Sequence, residues 1–317
     1  MQIIKTDVLF RPPSAELRFL PEGPYAADAG QVSWVGIQHG ADSTVGSINI
    51  LNPDTRTSES FELPGRPGFA FPTDRPGVFV AGVERQVGLF DIHSRQWMPF
   101  VSQVDEDVSN TIINDGVVFE DHLIFGCKEL EFRTKKAGLY LWRRSDQQLI
   151  RLRNDQICSN GKAVIRDGSG GLQLIDIDSP SKTITRSPLD IHSGWIGEPQ
   201  VIVDLTSEGV FPDGMILTPD HQSLIVALYD PGDPPYGVAR QYRMSDGKLE
   251  SVWTCSGSPR VTCPQLIRHQ GRIRLLLTTA VEHMDSDQQQ RHPNAGCLFV
   301  GETSFVSLGD QPRFRCP

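Results

Sequence analysis

Apolar residues in this chain fall in short runs bounded by Gly, Pro, Asn and Asp, with almost no helical periodicity. The segment VFPDGMILTPDHQSLIVALY at 210–229 shows the pattern. It predicts a strand at 215–217, a turn at 218–222 signalled by Pro219-Asp220, and a second strand at 223–229. Asp213, set against Gly214, is a carboxylate at the head of this hairpin.

The same arrangement recurs. Paired strands are predicted at 34–38 with 47–50, 78–83 with 88–92, 122–127 with 138–141, 172–177 with 182–186, 223–229 with 238–243 and 273–280 with 296–300. The first members start 44, 44, 50, 51 and 50 residues apart, the blade length of a β-propeller. With 29 Gly and 23 Pro punctuating short strands, the expectation is an all-β, six-bladed propeller of four-stranded blades. No linker is visible, so residues 1–317 read as a single domain. An open ring would leave a sheet edge, and the run 3–10 is therefore expected to pair with the last blade near 296–300.

Composition narrows the function. The chain has 317 residues, a formal net charge of −9, 38% hydrophobic and 22% charged residues, which is ordinary for a globular protein. An acidic balance argues against nucleic acid or an anionic membrane as partner but does not by itself identify one, and the partner expected is a small-molecule substrate. No apolar run approaches the ~18–20 residues of a membrane span, and MQIIKTDVLFRPP lacks a signal-like apolar core, so a cytoplasmic location is expected. Six cysteines without a C-x-x-C pair give neither a disulfide framework nor the usual zinc signature, and read as buried thiols. There is no G-x-S-x-G, H-E-x-x-H or P-loop, and Gly168–Gly171 reads as a turn between strands.

Candidate chemistry lies ahead of each central strand, where the innermost strand should begin. The sequence there reads PEGP at 21–24, RPGF at 66–69, NDGV at 114–117, SNGK at 159–162, PDGM at 212–215 and TCPQ at 262–265. Glu22, Asn114, Asn160 and Asp213 bring side-chain oxygen. Two carboxylates and two amides around one axis would form a hard-oxygen cage for Ca²⁺, Mg²⁺ or Mn²⁺, with Zn²⁺ possible but without its usual His and Cys. Asn-Gly and Asp-Gly are also tight-turn dipeptides, so each of these sites could be turn chemistry alone.

The pieces LPEGPY (20–25), NDGVVFEDHLIFG (114–126), SNGKAV (159–164), FPDGMILTPDHQSLIVALY (211–229) and LLLTTAVEHM (275–284) resemble the gluconolactonase and regucalcin family. The family includes senescence-marker-protein and luciferin-regenerating-enzyme-like members. The resemblance implies a six-bladed propeller with one divalent ion, Ca²⁺ first, held by Glu22, Asn160 and Asp213. It also implies Asn114 at the substrate and an acidic substrate-side residue at Glu131, with Glu129 as neighbouring choice. The implied activity is metal-dependent hydrolysis of a lactone or small ester, with Asp213 as ligand and general base. Related propellers cleave organophosphate esters, and a non-catalytic metal-binding propeller is the alternative. Where the family's lactonases carry Arg, two residues before the Asn of NDG, this chain has Ile112, and the usual Thr-Met is Cys127-Lys128.

Overall fold

The computed structural model describes residues 1–317, the side chain of Asp28 excepted. Six sheets, antiparallel except for one added N-terminal strand, follow one another in chain order, and the fold is the all-β six-bladed β-propeller. All six predicted central pairs are found, as the second and third strands of successive blades: Val32–Gly36 with Ser47–Asn52, Val78–Val83 with Gln86–Asp91, and His122–Glu129 with Ala137–Arg143. Leu172–Asp178 with Thr183–Asp190, Ser223–Tyr229 with Tyr236–Arg243, and Arg272–Thr279 with Leu298–Glu302 complete the set. Among the described residues no helix is long and apolar enough to cross a membrane.

The blades form two compact units. One, Met1–Pro67 with Ser207–Gln311, holds the first, fifth and sixth blades; the other, Gly68–Thr206 with Pro312–Pro317, holds the second, third and fourth. In the first unit, Leu275, Leu277 and Phe299 of the sixth blade pack against Ile225, Ala227 and Trp253 of the fifth. In the second, Ile124, Leu139 and Leu141 of the third blade meet Val164, Leu174 and Leu189 of the fourth. These central strands are buried on both faces, so they read as continuous apolar runs and not as alternating ones.

The N-terminal run is two strands. Gln2–Lys5 adds in parallel to Leu249–Ser256 of the fifth blade, and Asp7–Phe10 pairs antiparallel with Leu298–Glu302 as the outer strand of the sixth. Thr6 marks the change of sheet, its hydroxyl donating to the Thr254 carbonyl at 2.9 Å.

Candidate functional site

Each of the six motifs lies on an innermost strand: Pro21–Ala26, Pro67–Pro72, Thr111–Phe119, Ser159–Arg166, Phe211–Leu217 and Val261–His269. None is a hairpin turn, so the turn reading of Asp115-Gly116, Asn160-Gly161 and Asp213-Gly214 does not hold. Instead the ladder to the second strand is interrupted at the motif in five blades. The register slips between Glu22 and Tyr25, Ile113 and Gly116, Asn160 and Lys162, Pro212 and Met215, and Val261 and Pro264. A bulge of this kind bends the strand and re-aims its side chains, which is how a regular sheet can present polar groups from its inner edge.

Glycine makes room for this. A Cβ on Gly214 would lie 2.5 Å from Cys263 Sγ, and one on Gly68 would lie 2.0 Å from the Asn114 carbonyl oxygen. The inner strands of adjacent blades within each unit thus approach too closely for any other residue.

In the unit of the first, fifth and sixth blades, Glu22 is buried and its Oε2 accepts the N–H of Gly23 at 2.7 Å, with Gly23 in the left-handed region at φ 50°. The neighbouring Pro21 carbonyl accepts from Thr262 Oγ1 at 2.7 Å, and that hydroxyl also meets Thr278 Oγ1 at 2.8 Å. Asp213 is half-buried. Tyr229, opposite Phe211 in the ladder, donates to the Glu282 carbonyl at 3.2 Å. Burial, then the charges of Glu282 and Asp213, push its phenol well up. The guanidinium of Arg260 stands 5.7 Å from the Tyr229 ring centre.

In the unit of the second to fourth blades, Asn114 and Asn160 meet directly. Asn114 Nδ2 donates to Asn160 Oδ1 at 2.8 Å and to the Ser159 carbonyl at 2.9 Å, while Asn160 Nδ2 donates to Ser179 Oγ at 2.8 Å. Both are buried. Asp178 fixes the preceding residues by accepting the N–H groups of Ile157 at 3.1 Å and Cys158 at 2.8 Å. Lys162 anchors the strand from beneath, its Nζ 2.6 Å from the Asn160 carbonyl and 3.3 Å from Asp176 Oδ1. Burial pushes the Asp115 and Asp176 carboxyls up, and the Lys162 charge opposes the shift in both.

Sequence reasoning missed Lys162, Asp176 and Asp178. The signal was present, since two aspartates in the largely apolar strand Leu172–Asp178 need partners.

The two acidic candidates after Gly126 differ. Glu129 is buried and its carboxylate accepts N–H groups from Glu131 and Arg133 at 3.2 and 2.9 Å and from Asn110 Nδ2 at 3.0 Å. It ties down the loop that follows. Glu131 is exposed on that loop, 3.9 Å from Arg133. Ile112 is buried and lies opposite Lys128 in the ladder. Gly168–Gly171 is a turn: Asp167 Oδ1 accepts the N–H groups of Ser169 and Gly171 at 2.9 Å each, so these donors already have a partner.

Among the described residues no three His, Cys, Asp or Glu gather as a metal-holding group. Six free cysteines, all buried, add no ligand.

Residues 20–281 match the family described as SMP-30/Gluconolactonase/LRE-like region. A Bacillus subtilis protein provisionally named sugar lactone lactonase YvrE is 26% identical over 56% of this chain, and regucalcin of Gallus gallus is 25% identical over 64%. The alignments span 56% and 66% of those two proteins' own lengths. The crystal structure of regucalcin from Agrobacterium tumefaciens, described as a calcium-binding protein, superposes with a TM-score of 0.80 at 20% identity, covering 100% of both chains. The six blades, the polar residues at their inner-strand bulges and the match over residues 20–281 agree, and the chain belongs to the SMP-30/gluconolactonase/LRE-like family.

Proposed function

We propose that this protein is a divalent-metal-dependent hydrolase of a lactone or related small ester. The reading is supported by family membership together with one structural observation: oxygen-bearing side chains occupy the inner-strand bulges. In this reading Glu22, Asn160 and Asp213 hold the ion and Asn114 meets substrate. The donor set fits a hard cation such as Ca²⁺. The amide N–H groups of Asn114 and Asn160 are used within the protein, which leaves the Asn114 oxygen and the second lone pair of Asn160 Oδ1 to offer a cation or substrate. When bound, a divalent ion polarises the carbonyl and lowers the pKa of water.

The chain's own residues do the rest. Asn114 orients Asn160 through its 2.8 Å hydrogen bond. Asp213 accepts the proton of the attacking water as it adds to the carbonyl carbon, and a proton returns to the ring or alkoxide oxygen as the C–O bond breaks. The products are a hydroxy-carboxylic acid or an acid and an alcohol.

The test is turnover of a panel of lactones, aryl esters and phosphotriesters with and without chelator. Chelator-sensitive hydrolysis of lactone or ester is expected. A fast phosphotriesterase that ignores lactones would change the bond assigned, and a metal-loaded protein inert toward all three would favour a non-catalytic binding propeller.

A further inference from the structure

Lys128 sits where the family pattern has no cation, and its setting in the unit of the second to fourth blades is unusual. It is the direct ladder partner of Ile112, with the two Cβ atoms on one face about 4.5–5.5 Å apart by strand geometry. On its other side its backbone bridges to Cys158, whose thiol lies 3.8 Å from Asn114 Nδ2 and 3.5 Å from Asn160 Nδ2. Lys128 therefore stands between Ile112, two residues before Asn114, and Cys158, two residues before Asn160.

The residue is only 7% exposed, yet among the described residues its ammonium has neither a hydrogen bond nor an ion pair. The adjacent carboxylate, Glu129, is engaged elsewhere, by its loop and by Lys136. The stem of Lys128 is enclosed while its tip keeps contact with solvent. Enclosing a lysine without a counter-charge is unfavourable to folding, and an anionic ligand would offset it.

We propose that Lys128 is a specificity-determining residue that binds a carboxylate on the substrate, so that the preferred lactone or ester is itself an anion. It takes over, from the second strand, the gripping role that Ile112 cannot play on the innermost strand. A single ammonium suits a singly charged carboxylate better than a doubly charged phosphate. Arg133 is no rival, being 80% exposed beside Glu131.

The inference rests on the lactone and ester reading above, and its test separates the two. The substrates are 5-oxotetrahydrofuran-2-carboxylate and its neutral methyl amide. The unmodified protein should favour the carboxylate through KM by about 10-fold or more, the size of one charge-assisted hydrogen bond. Lys128→Met should remove most of that preference and Lys128→Arg should restore part of it. Removing an uncompensated charge should also leave the Tm of Lys128→Met equal or higher, whereas a structural lysine would lower it.

Equal use of the two lactones by the unmodified protein, or an undiminished preference in Lys128→Met, would overturn the assignment. If neither lactone is hydrolysed, the hydrolytic reading fails and thermal shift with glutarate decides Lys128. A larger shift in the unmodified protein than in Lys128→Met supports it, and equal shifts refute it.

Discussion

In the unit of the first, fifth and sixth blades the inner-strand bulges carry carboxylates, Glu22 and Asp213; in the unit of the second to fourth blades they carry amides, Asn114 and Asn160. The backbone device is the same and the chemistry differs. The amides are locked by side-chain hydrogen bonds to each other, to Ser159 and to Ser179. Glu22 is held by the N–H of the next residue, Gly23. The comparison teaches that a repeat fixes where a side chain is presented, while the residue at the bulge fixes whether charge or neutral dipole is presented there.

Exchanging charge for dipole in the first unit should have the largest effect. Asp213→Asn keeps the shape and an oxygen ligand but removes the base, so kcat on a hydrolysed lactone should fall by about 10²-fold or more. Unchanged kcat in metal-loaded protein would remove Asp213 from the chemistry.

Loosening the dipoles of the second unit should cost less. Asn114→Ala deletes the donor that orients Asn160, and kcat/KM should fall by about 10-fold with the fold intact, the effect of one buried hydrogen bond. A merely local role for Asn114 would leave kinetics unaltered. At the companion position, Ile112→Arg should shift preference toward glucono-δ-lactone by offering planar donors to hydroxyls. Strong gluconolactonase activity in the unmodified protein would show that Ile112 does not set specificity.

A third break tests the close approach of the inner strands. Gly68→Ala puts a Cβ 2.0 Å from the Asn114 carbonyl oxygen, against backbone that cannot give easily. It should lower stability by about 1–3 kcal/mol, readable as a drop in Tm. An unchanged Tm would mean that the strands can part without loss.

What the sequence made legible, and what it hid, follows from burial. The six central strand pairs stand out because residues such as those of Ser223–Tyr229 are enclosed on both faces and must be apolar. Outer strands such as Gln148–Gln156 alternate irregularly with charge, and the fourth blade's outer edge is divided between Trp195–Ile196 and Gln200–Asp204, so neither carries a periodic signature. The candidate site was legible as positions but not as conformation. Asn160-Gly161 and Asp213-Gly214 have turn chemistry, and only the ladder shows them to be bulges. Glu129 and Glu131, two residues apart, could not be separated by pattern, because what distinguishes them is a loop folding back onto Glu129.

The smallest effect concerns the Asp167 turn. Hydrogen bonds from Ser169 and Gln173 hold its carboxyl down at about 2, below the ordinary value near 4. A depressed acid contributes stability that is complete above about pH 4 and is lost as pH falls through about 2. An NMR titration should find the Asp167 midpoint near 2, and a midpoint near 4 would show that the turn is not held by this carboxylate.

The central claim is the proposal that Glu22, Asn160 and Asp213 hold a divalent cation. Elemental analysis of gently purified protein tests it most directly, with Asp213→Asn analysed in parallel. The account predicts about one divalent ion per chain, loss of that ion on chelation with a fall in Tm, and weaker retention in the variant. A chain without stoichiometric metal, and with no thermal stabilisation by added Ca²⁺, Mg²⁺, Mn²⁺ or Zn²⁺, would contradict it.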